Sequence, residues 1–400
     1  MEEIRNQFPQ LQERVYDKPL VYLDNAATSL RPLSVVGKWE EMSLKYNSNL
    51  HRAVHYMAAK ATAEYEEARS FVAERIGADG SGKIVFTSGA TAALNLVANT
   101  FGEQELREGD EVLIAQCEHH SDIVPWQMVC RRKGATIKVL PVDERGYLRM
   151  DLLEEMVVEG KTKIFCVAQV SNVLGIVNPV KEIVNICHSK GCAVSVDGAQ
   201  GIVHCGADVA DMGCDFYAFS GHKVYAAPGT GVLYMASKWA ETLPPYMGGG
   251  EMIETVRWEE TTYAAAPQRF EAGTQNISGT PTLVPALKLA SEMKEDPEIK
   301  KFMLEELRSR KDVRLFGDPL EAGDKVPLFS FAVEGVHHED LALILDMMGI
   351  AVRSGQMCAE PLMDRYGVTG MLRASFAPYN TMQEAEYFIE SLDRAIMMLR

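Results

Sequence analysis

The sequence is short of basic residues: it has 40 Lys and Arg against 56 Asp and Glu, a formal net charge of −16 over 400 residues. A chain this acidic lacks the positive surface that attracts nucleic acid or anionic membranes, so we expect neither as a partner. It also has no apolar run approaching the ~20 residues of a membrane-spanning helix. The first five residues are charged rather than apolar, so we expect no secretory signal and a cytoplasmic location.

The sequence also lacks paired cysteines. It contains eight, but no two have the C-x-x-C spacing that is typical of zinc sites, so we expect no metal. Disulfides are not expected in a long chain without a signal. Most of the cysteines lie in apolar runs, such as those around Cys166 and Cys187, and should be buried. Cys358 differs, because it lies in a polar segment bounded by Gly355 and Pro361.

Short β-branched runs alternate with amphipathic helical segments along most of the chain. This alternation predicts an α/β fold with a mainly parallel sheet covered by helices on both faces. A connecting helix that begins near Pro281 leads into a C-terminal region of mixed strands and helices. We therefore divide the chain into an N-terminal segment, 1–22, a large domain, 23–285, and a small α/β domain, 286–400. The N-terminal segment is expected to pack with the small domain.

Two polar side chains follow neighbouring strands at the point where each strand ends. The run Ala193–Val196 stops on Asp197, and the run Asp215–Phe219 stops on a Ser-Gly-His-Lys turn that presents Lys223. Because ligands of α/β proteins bind at the carboxyl ends of strands, both side chains should face one crevice. An acid and an amine around one ligand suit pyridoxal phosphate (PLP): the lysine forms a Schiff base, and the acid keeps the pyridine nitrogen protonated. The alternative is a structural ion pair.

A strand, a small polar turn and an apolar helix follow one another between Ile84 and Asn99. The free N–H groups and the dipole of a helix N-terminus bind phosphate. Thr91 could equally be an ordinary N-cap residue. Together with the lysine–aspartate pair, this turn predicts where the cofactor phosphate binds.

Other polar residues near strands have open alternatives. His119 and His120 follow a strand and could belong to a metal site or a plain loop, although no carboxylate or cysteine stands at ligand spacing. Asn172 also follows a strand and could be a turn residue. Arg373, inside a C-terminal strand, could bind a carboxylate in a bidentate way or form a surface salt bridge.

These motifs together resemble the class V aminotransferase family of fold-type I PLP enzymes, and more closely its Suf-type cysteine desulfurases. The resemblance runs from the Tyr-Leu-Asp-Asn-Ala-Ala segment at 22–27 to the Arg-Ala-Ser segment at 373–375. It implies a large PLP-binding domain with a mainly parallel seven-stranded sheet, and a smaller domain that carries the cysteine loop. It also implies conversion of L-cysteine to L-alanine, with sulfur passing to Cys358 as a persulfide for iron–sulfur cluster or thio-cofactor assembly.

The resemblance implies roles for individual residues. Lys223 and Cys358 are catalytic, as is His119, which stacks on the cofactor ring where it can also transfer a proton. Asp197 holds the pyridinium. The remaining cofactor contacts that it implies are Thr91, Ser220 and His222 at the phosphate, Asn172 and Gln200 at the ring oxygen, and Thr274 from across a dimer interface.

For the substrate, the resemblance implies that Arg373 binds the carboxylate, with Asn172 beside it and Arg353 orienting the cysteine loop. Because Thr274 is expected to reach the partner's phosphate, the resemblance further implies a homodimer with shared active sites. It implies a sulfur-acceptor protein of the iron–sulfur assembly system as a second partner.

The chain departs from the Suf-type pattern at several positions. The loop usually reads Arg-x-Gly-His-His-Cys-Ala, but Gln356 and Met357 replace the two histidines. Ala92 and Met247 stand where glutamates are usual, and Glu339 occupies the best match for an acceptor-binding histidine. Two alternatives therefore stay open: a selenocysteine lyase that uses the same residues, or another class V enzyme, an aminotransferase or epimerase, in which Cys358 is dispensable. A non-enzymatic scaffold is disfavoured by the intact lysine–aspartate pair.

Overall fold

The computed structural model describes residues 2–52, 54–80 and 83–400. The helices in these ranges are α1 (Glu2–Arg5), α2 (Leu33–Lys45), α3 (Tyr56–Arg75), α4 (Ala90–Glu105), α5 (His120–Lys133), α6 (Met150–Met156), α7 (Val180–Ser189), α8 (Gly201–His204), α9 (Val209–Met212), α10 (Ser237–Thr242), α11 (Leu283–Glu292), α12 (Pro297–Ser309), α13 (His338–Met347), α14 (Glu360–Tyr366) and α15 (Met382–Leu399). The strands are β1 (Arg14–Val15), β2 (Lys18–Pro19), β3 (Val21–Tyr22), β4 (Ile84–Thr87), β5 (Glu111–Ala115), β6 (Thr136–Leu140), β7 (Thr162–Ala168), β8 (Ala193–Asp197), β9 (Phe216–Ser220), β10 (Gly231–Met235), β11 (Ile253–Val256), β12 (Thr261–Tyr263), β13 (Val313–Phe316), β14 (Leu328–Val333), β15 (Ile350–Ala351), β16 (Arg353–Gly355) and β17 (Met371–Ser375).

Local sequence signals begin and end several of these helices. The Asp296 side chain accepts from the Glu298 N–H at the start of α12, and Pro297 occupies the first helical position. Thr381 and Glu384 form a reciprocal capping box at the start of α15. Helix α5 ends at Gly134, whose φ of 70° is the left-handed conformation that glycine adopts without strain.

The large sheet has seven strands in the order β4-β10-β9-β8-β7-β5-β6. Strand β10 runs antiparallel to both of its neighbours, and the other pairings are parallel. The connection from β9 to β10 is too short for the crossover helix that a parallel neighbour requires, so the chain returns in the opposite direction. The predicted α/β fold with a mainly parallel seven-stranded sheet is confirmed.

Alternate residues of the central strands point to opposite faces of the large sheet, as a period of two requires. In β9, Tyr217 and Phe219 join one apolar core, while Phe216 and Ala218 join the other. Helix α7 packs on the first face through Ile183, and helices α4 and α5 pack on the second. Because both faces are buried, the functional groups must lie at the strand ends.

A second sheet, in the order β13-β14-β17-β16, is antiparallel and forms its own apolar core with α12, α13 and α15. The N-terminal strand β3 pairs in parallel with β15, opposite Ile350, and Val21 and Leu23 enter this second core. Phe8, however, packs against Tyr225 and Tyr379 in the core of the large sheet. The N-terminal segment, which we predicted to pack with the small domain, therefore contacts both sheets.

Three short segments complete the fold. Residues 14–19 form a hairpin, β1–β2, in which Tyr16 and Asp17 have positive φ angles. The segment 243–276 contains the hairpin β11–β12, because its Thr- and Val-rich runs pair with each other. The segment 350–353 is divided between β15 and β16, which pair with different strands.

None of the helices in the described ranges combines the length and the apolar character that crossing a bilayer demands. Over the same residues, no cluster of His, Cys, Asp and Glu has the composition of a metal site.

Candidate active site

A cavity of about 380 Å³ opens between the ends of the parallel strands of the large sheet and the second sheet. Twelve site residues are predicted from the sequence, and ten of them line this one cavity. They are Thr91, His119, Asn172, Asp197, Ser220, His222, Lys223, Arg353, Cys358 and Arg373.

Asp197 and Lys223 reach the cavity from adjacent strands. Asp197 is the last residue of β8, is 7% exposed, and accepts a hydrogen bond from the Ala199 N–H at 2.8 Å. Lys223 lies in the helical turn that directly follows β9. Burial raises the pKa of Asp197, and the Lys223 amine opposes this rise. Burial likewise lowers the pKa of Lys223, which favours its neutral, nucleophilic form.

The other end of the cavity is the N-terminus of α4. Gly89 is the N-cap residue, and the Ala90 N–H donates to Ser220 Oγ at 2.8 Å, so Thr91 is not the cap. Instead, Thr91 is exposed in the first turn and hydrogen-bonds Ser121 through its hydroxyl, 2.7 Å away. The backbone here is tightly packed, because a Cβ on Gly231 of β10 would lie 2.4 Å from Gly89 Cα. Free N–H groups at this helix start suit an anion.

His222 lines the same cavity, two residues after Ser220. Its Nδ1 is 3.2 Å from Thr28 Oγ1, and burial, with Lys223 and Arg31, lowers its pKa to about 4. The ring is therefore neutral at neutral pH and offers a hydrogen bond rather than a charge.

These two ends fit PLP. The Lys223 amine and the Asp197 carboxylate suit the aldehyde and the pyridine nitrogen, and the helix start with Thr91, Ser220 and His222 suits the phosphate.

His119 is the N-cap residue of α5, and its Nδ1 accepts from the Ser121 N–H at 3.0 Å. This hydrogen bond leaves the ring proton on Nε2. Burial, together with the positive Lys223, lowers the pKa of His119 to about 4. The imidazole is therefore a neutral, half-buried ring on the cavity wall, which suits stacking on an aromatic cofactor.

Arg373 is buried, with 3% of its surface exposed, so the surface salt bridge considered from the sequence is excluded. Its NH1 donates to the Asn172 carbonyl at 2.8 Å, and its NH2 lies 3.3 Å from Asp24 Oδ1. Arg353 faces it from β16 and lies 3.8 Å from the other oxygen of Asp24. The buried Nε of Arg373 has no partner among the described residues, so the guanidinium keeps a donor for an incoming carboxylate.

Asp24 was missed in the sequence analysis, although it stands at a strand end just as Asp197 does. Burial raises the pKa of this carboxyl, while Arg373 and Arg353 oppose the rise. It lies in the cavity wall between the two arginines. Asp24 therefore holds both guanidinium groups in place.

Cys358 is exposed at the cavity rim on a loop whose backbone is held at two points. The Asn172 side chain donates to the Met357 carbonyl at 2.9 Å, and the His120 N–H donates to the Cys358 carbonyl at 2.7 Å. Met357 and Cys358 have φ angles of 54° and 55°, and each such residue costs about 1–3 kcal/mol of strain. The loop is therefore fixed by its contacts.

The two residues that precede Cys358 in its loop, Gln356 and Met357, have clear contacts. Met357 is 6% exposed and its side chain enters the large apolar core. Gln356 Nε2 donates to Glu360 Oε1 at 3.2 Å, and the Glu360 N–H donates to Nε2 of His120. Polar side chains within the loop and one apolar anchor thus hold the loop in place. His120, left without a role in the sequence analysis, braces this loop.

Gln200 and Thr274 do not line the cavity. Gln200 is buried, and its Nε2 donates to the Ala26 carbonyl at 2.8 Å, so it supports a segment of the wall. Thr274 lies in a separate cavity of about 320 Å³, together with Thr87 and Glu271. Their contacts with a cofactor stay predictions.

Two buried acids whose pKa values are affected by the Asp197 charge were also not predicted. Glu118 and Asp122 are each 1% exposed, and both oxygens of Asp122 lack a partner among the described residues. Burial, with the nearby Asp197 carboxylate, raises the pKa of Asp122 to about 8. Asp122 is therefore largely protonated at neutral pH. Nothing in its sequence neighbourhood distinguishes it from an ordinary first-turn helix residue.

Comparison with known proteins agrees with this geometry. Residues 21–388 match the family model described as aminotransferase class-V. A probable cysteine desulfurase of Vibrio cholerae is 40% identical over 100% of this chain and 99% of its own length. A probable cysteine desulfurase of Halalkalibacterium halodurans is 42% identical over 98% of this chain and 97% of its own.

Two solved structures are similar over nearly the whole chain. The cysteine desulfurase CsdA of Escherichia coli, in an S-sulfonic acid form, superimposes with a TM-score of 0.90 at 38% identity and covers 100% of this chain and 99% of its own. The apo cysteine desulfurase of Thermococcus onnurineus gives a TM-score of 0.93 at 35% identity, over 99% and 98% of the two chains.

Proposed function

The chain belongs to the class V aminotransferase family, and we propose that it is a PLP-dependent cysteine desulfurase that moves sulfur from L-cysteine to Cys358. The observation that carries the proposal is one cavity that joins the Lys223–Asp197 pair, a buried arginine and an exposed thiol. The full-length similarity to cysteine desulfurases supports it.

Arg373 binds the substrate carboxylate. Its planar guanidinium offers the Nε–H and NH2 groups side by side, which matches two carboxylate oxygens. Asp24 and the Asn172 carbonyl fix the guanidinium before substrate arrives. The substrate carboxylate then takes over the Nε donor, which has no partner among the described residues.

Lys223 moves protons at the substrate. Burial lowers its pKa and so favours the neutral amine, which can accept a proton and return it. Asp197 holds a negative charge for the pyridine nitrogen. When bound, PLP supplies the electron sink that the reaction needs at the substrate carbon. His119, on the cavity wall, would cover one face of the ring and exclude water from it.

The Cys358 thiol takes the sulfur. Its Sγ forms a bond to the substrate sulfur as the substrate Cβ–S bond breaks, and Cβ gains a proton to become the methyl group of alanine. One thiol and one cysteine thus give one persulfide and one alanine, with no external oxidant. This chemistry needs an accessible thiol, and Cys358 is exposed at the cavity rim.

The test is a single-turnover assay of the PLP-loaded protein with L-cysteine, measuring alanine and protein-bound persulfide. We expect about one of each per active site in the wild type and neither in Cys358→Ala. Cys205→Ala is the matched control, because Cys205 is the other exposed cysteine, and it should behave as wild type. Wild-type protein that holds PLP but releases no alanine would refute the proposal. Alanine and persulfide from Cys358→Ala would refute the role of this thiol.

We further propose that the chain forms a homodimer in which Thr274 contributes to the partner's phosphate site. The support is indirect: Thr274 lies away from its own chain's cavity, and the β11–β12 hairpin exposes Val256, Trp258 and Tyr263. Light scattering should give twice the mass of 44.3 kDa. A monomer that retains full activity would contradict this assembly.

An acceptor protein of iron–sulfur assembly would take the persulfide sulfur from the exposed Cys358, in the cytoplasm. All eight cysteines are free thiols, which suits a reducing compartment. Transfer of radiolabelled sulfur from the persulfidated protein to candidate acceptors tests this step.

A further inference from the structure

A buried lysine outside the cavity contacts the turn that follows β7. Lys325 is 1% exposed, and its Nζ donates to the Leu174 carbonyl oxygen. Its Nζ also lies 5.7 Å from the centroid of the Phe329 ring. The charge of Asp318 raises the pKa of Lys325, but its carboxylate pairs with Arg308 rather than with this amine. A lysine is rarely buried in this way without a paired acid. Here the buried amine instead donates to a backbone carbonyl of the turn.

The turn accepts a row of hydrogen bonds from the C-terminal part of the chain. Four consecutive carbonyl oxygens each have a donor: Asn172 from Arg373 NH1 (2.8 Å), Val173 from Ser330 Oγ (2.5 Å), Leu174 from Lys325 Nζ, and Gly175 from the Val326 N–H (2.9 Å). The three side-chain donors are each at least 97% buried.

Asn172 connects this row to the reacting groups. Its carbonyl fixes Arg373, and its side chain donates to the Met357 carbonyl, next to Cys358. A shift of the turn therefore moves the arginine and the cysteine loop together. A displacement of about 1 Å in such groups is enough to cost on the order of 100-fold in rate.

The surroundings of Leu174 leave little room for another donor. A Cβ on Gly317 would lie 2.2 Å from the Leu174 carbonyl oxygen, so backbone closes that side. Burial lowers the pKa of Lys325 to about 7, and the amine can donate in either protonation state. Without the amine, the Leu174 carbonyl would be buried and unpaired, and the turn would relax to satisfy it.

We propose that Lys325 is a positioning residue, which sets the Asn172 turn and thereby aligns Arg373 with the Cys358 loop. The proposal rests on the proposed function, because its effect is read in the cysteine reaction. Lys325 touches neither substrate nor cofactor, and it acts through Asn172.

The test compares PLP-loaded Lys325→Met and Lys325→Arg with wild type. We measure PLP content, KM for L-cysteine and the single-turnover rate of persulfide formation. Lys325→Met should retain PLP, raise KM and slow persulfide formation by about 10- to 100-fold. Lys325→Arg should restore both values to within about threefold of wild type, because a guanidinium can also donate to the carbonyl. Lys300→Met is the matched control: it removes a hydrogen bond to the Lys325 carbonyl without touching the turn, and should leave the kinetics unchanged.

A purely structural lysine would lower the melting temperature of Lys325→Met but leave its KM and persulfide rate at wild-type values, and that result overturns the proposal. If Lys325→Met does not fold, Ser330→Ala provides the test instead. It removes the hydrogen bond to the Val173 carbonyl, which neighbours the Leu174 carbonyl in the turn. A folded Ser330→Ala enzyme should show slower persulfide formation, and wild-type kinetics would overturn the proposal. Inactivity of the wild type towards cysteine would instead refute the proposed function.

Discussion

Replacing Glu271 with glutamine is expected to lower the free energy of unfolding by about 3 kcal/mol, because it leaves the Arg69 guanidinium buried without its main counter-charge. The two side chains are 2% and 1% exposed. Glu271 accepts from Arg69 NH1 at 2.6 Å and from NH2 at 2.9 Å, and it also accepts from the Phe86 N–H of β4.

The magnitude follows from these contacts. Removing one partner of a buried ion pair costs about 3–5 kcal/mol. The lower end applies here, because Arg69 keeps hydrogen bonds to Glu66 and to the Ile84 carbonyl. With an unfolding entropy of about 2.1 cal/mol/K per residue, a loss of about 3 kcal/mol lowers Tm by about 4 °C in a chain of this length.

Differential scanning calorimetry of the PLP-loaded protein measures this change. Glu390→Gln is the control, because Glu390 pairs with Arg394 at the surface, where the side chains are 67% and 55% exposed. That substitution should change Tm by less than about 1 °C. The reasoning is refuted if Glu271→Gln also melts within 1 °C of the wild type.

Three further predictions follow from single side chains. Asp122→Asn should remove a pH dependence of stability. The folded-state pKa of Asp122 is raised to about 8, so the stability of the wild type should fall as pH rises from about 4 to 8. A scan of Tm against pH should therefore show a flatter curve for the variant. The His119 ring, with its pKa lowered to about 4, should show neutral-imidazole NMR shifts from pH 8 down to pH 5, and a midpoint near 6.5 would contradict the burial argument. Asp197→Asn should still hold PLP through the phosphate end but lose at least about 100-fold in kcat, and wild-type kcat would exclude Asp197 as the pyridinium partner.

The sequence allowed the large sheet and most of the cavity wall to be predicted, because strand-end polar residues of a parallel sheet converge at one edge. Asp197, His119 and Asn172 all follow buried strands, and all three line the cavity. Asp24 could have been found by the same rule, since it follows the apolar Val21–Leu23 run.

The remaining residues could not be predicted, because their contacts join distant parts of the chain. His120 bonds to Glu360 across 240 positions, and Lys325 bonds to Leu174 across 151. Neither residue lies in a local pattern that differs from ordinary loop sequence. The roles of Gln200 and Thr274 were inferred from resemblance alone, and both stay predictions.

The parallel pairing of β3 with β15 has a consequence for how the protein is made on the ribosome. Val21 cannot find Ile350 until about 330 further residues have been synthesised, which takes about 16–66 s at ~5–20 residues per second. During that time Val21 and Leu23, later buried in the core of the second sheet, lack their apolar partners. Asp24 forms its β-bridge with Ser375, which is synthesised later still. The large sheet can assemble well before then, so the arginine side of the cavity forms last, after release of the chain's C-terminal strands from the exit tunnel.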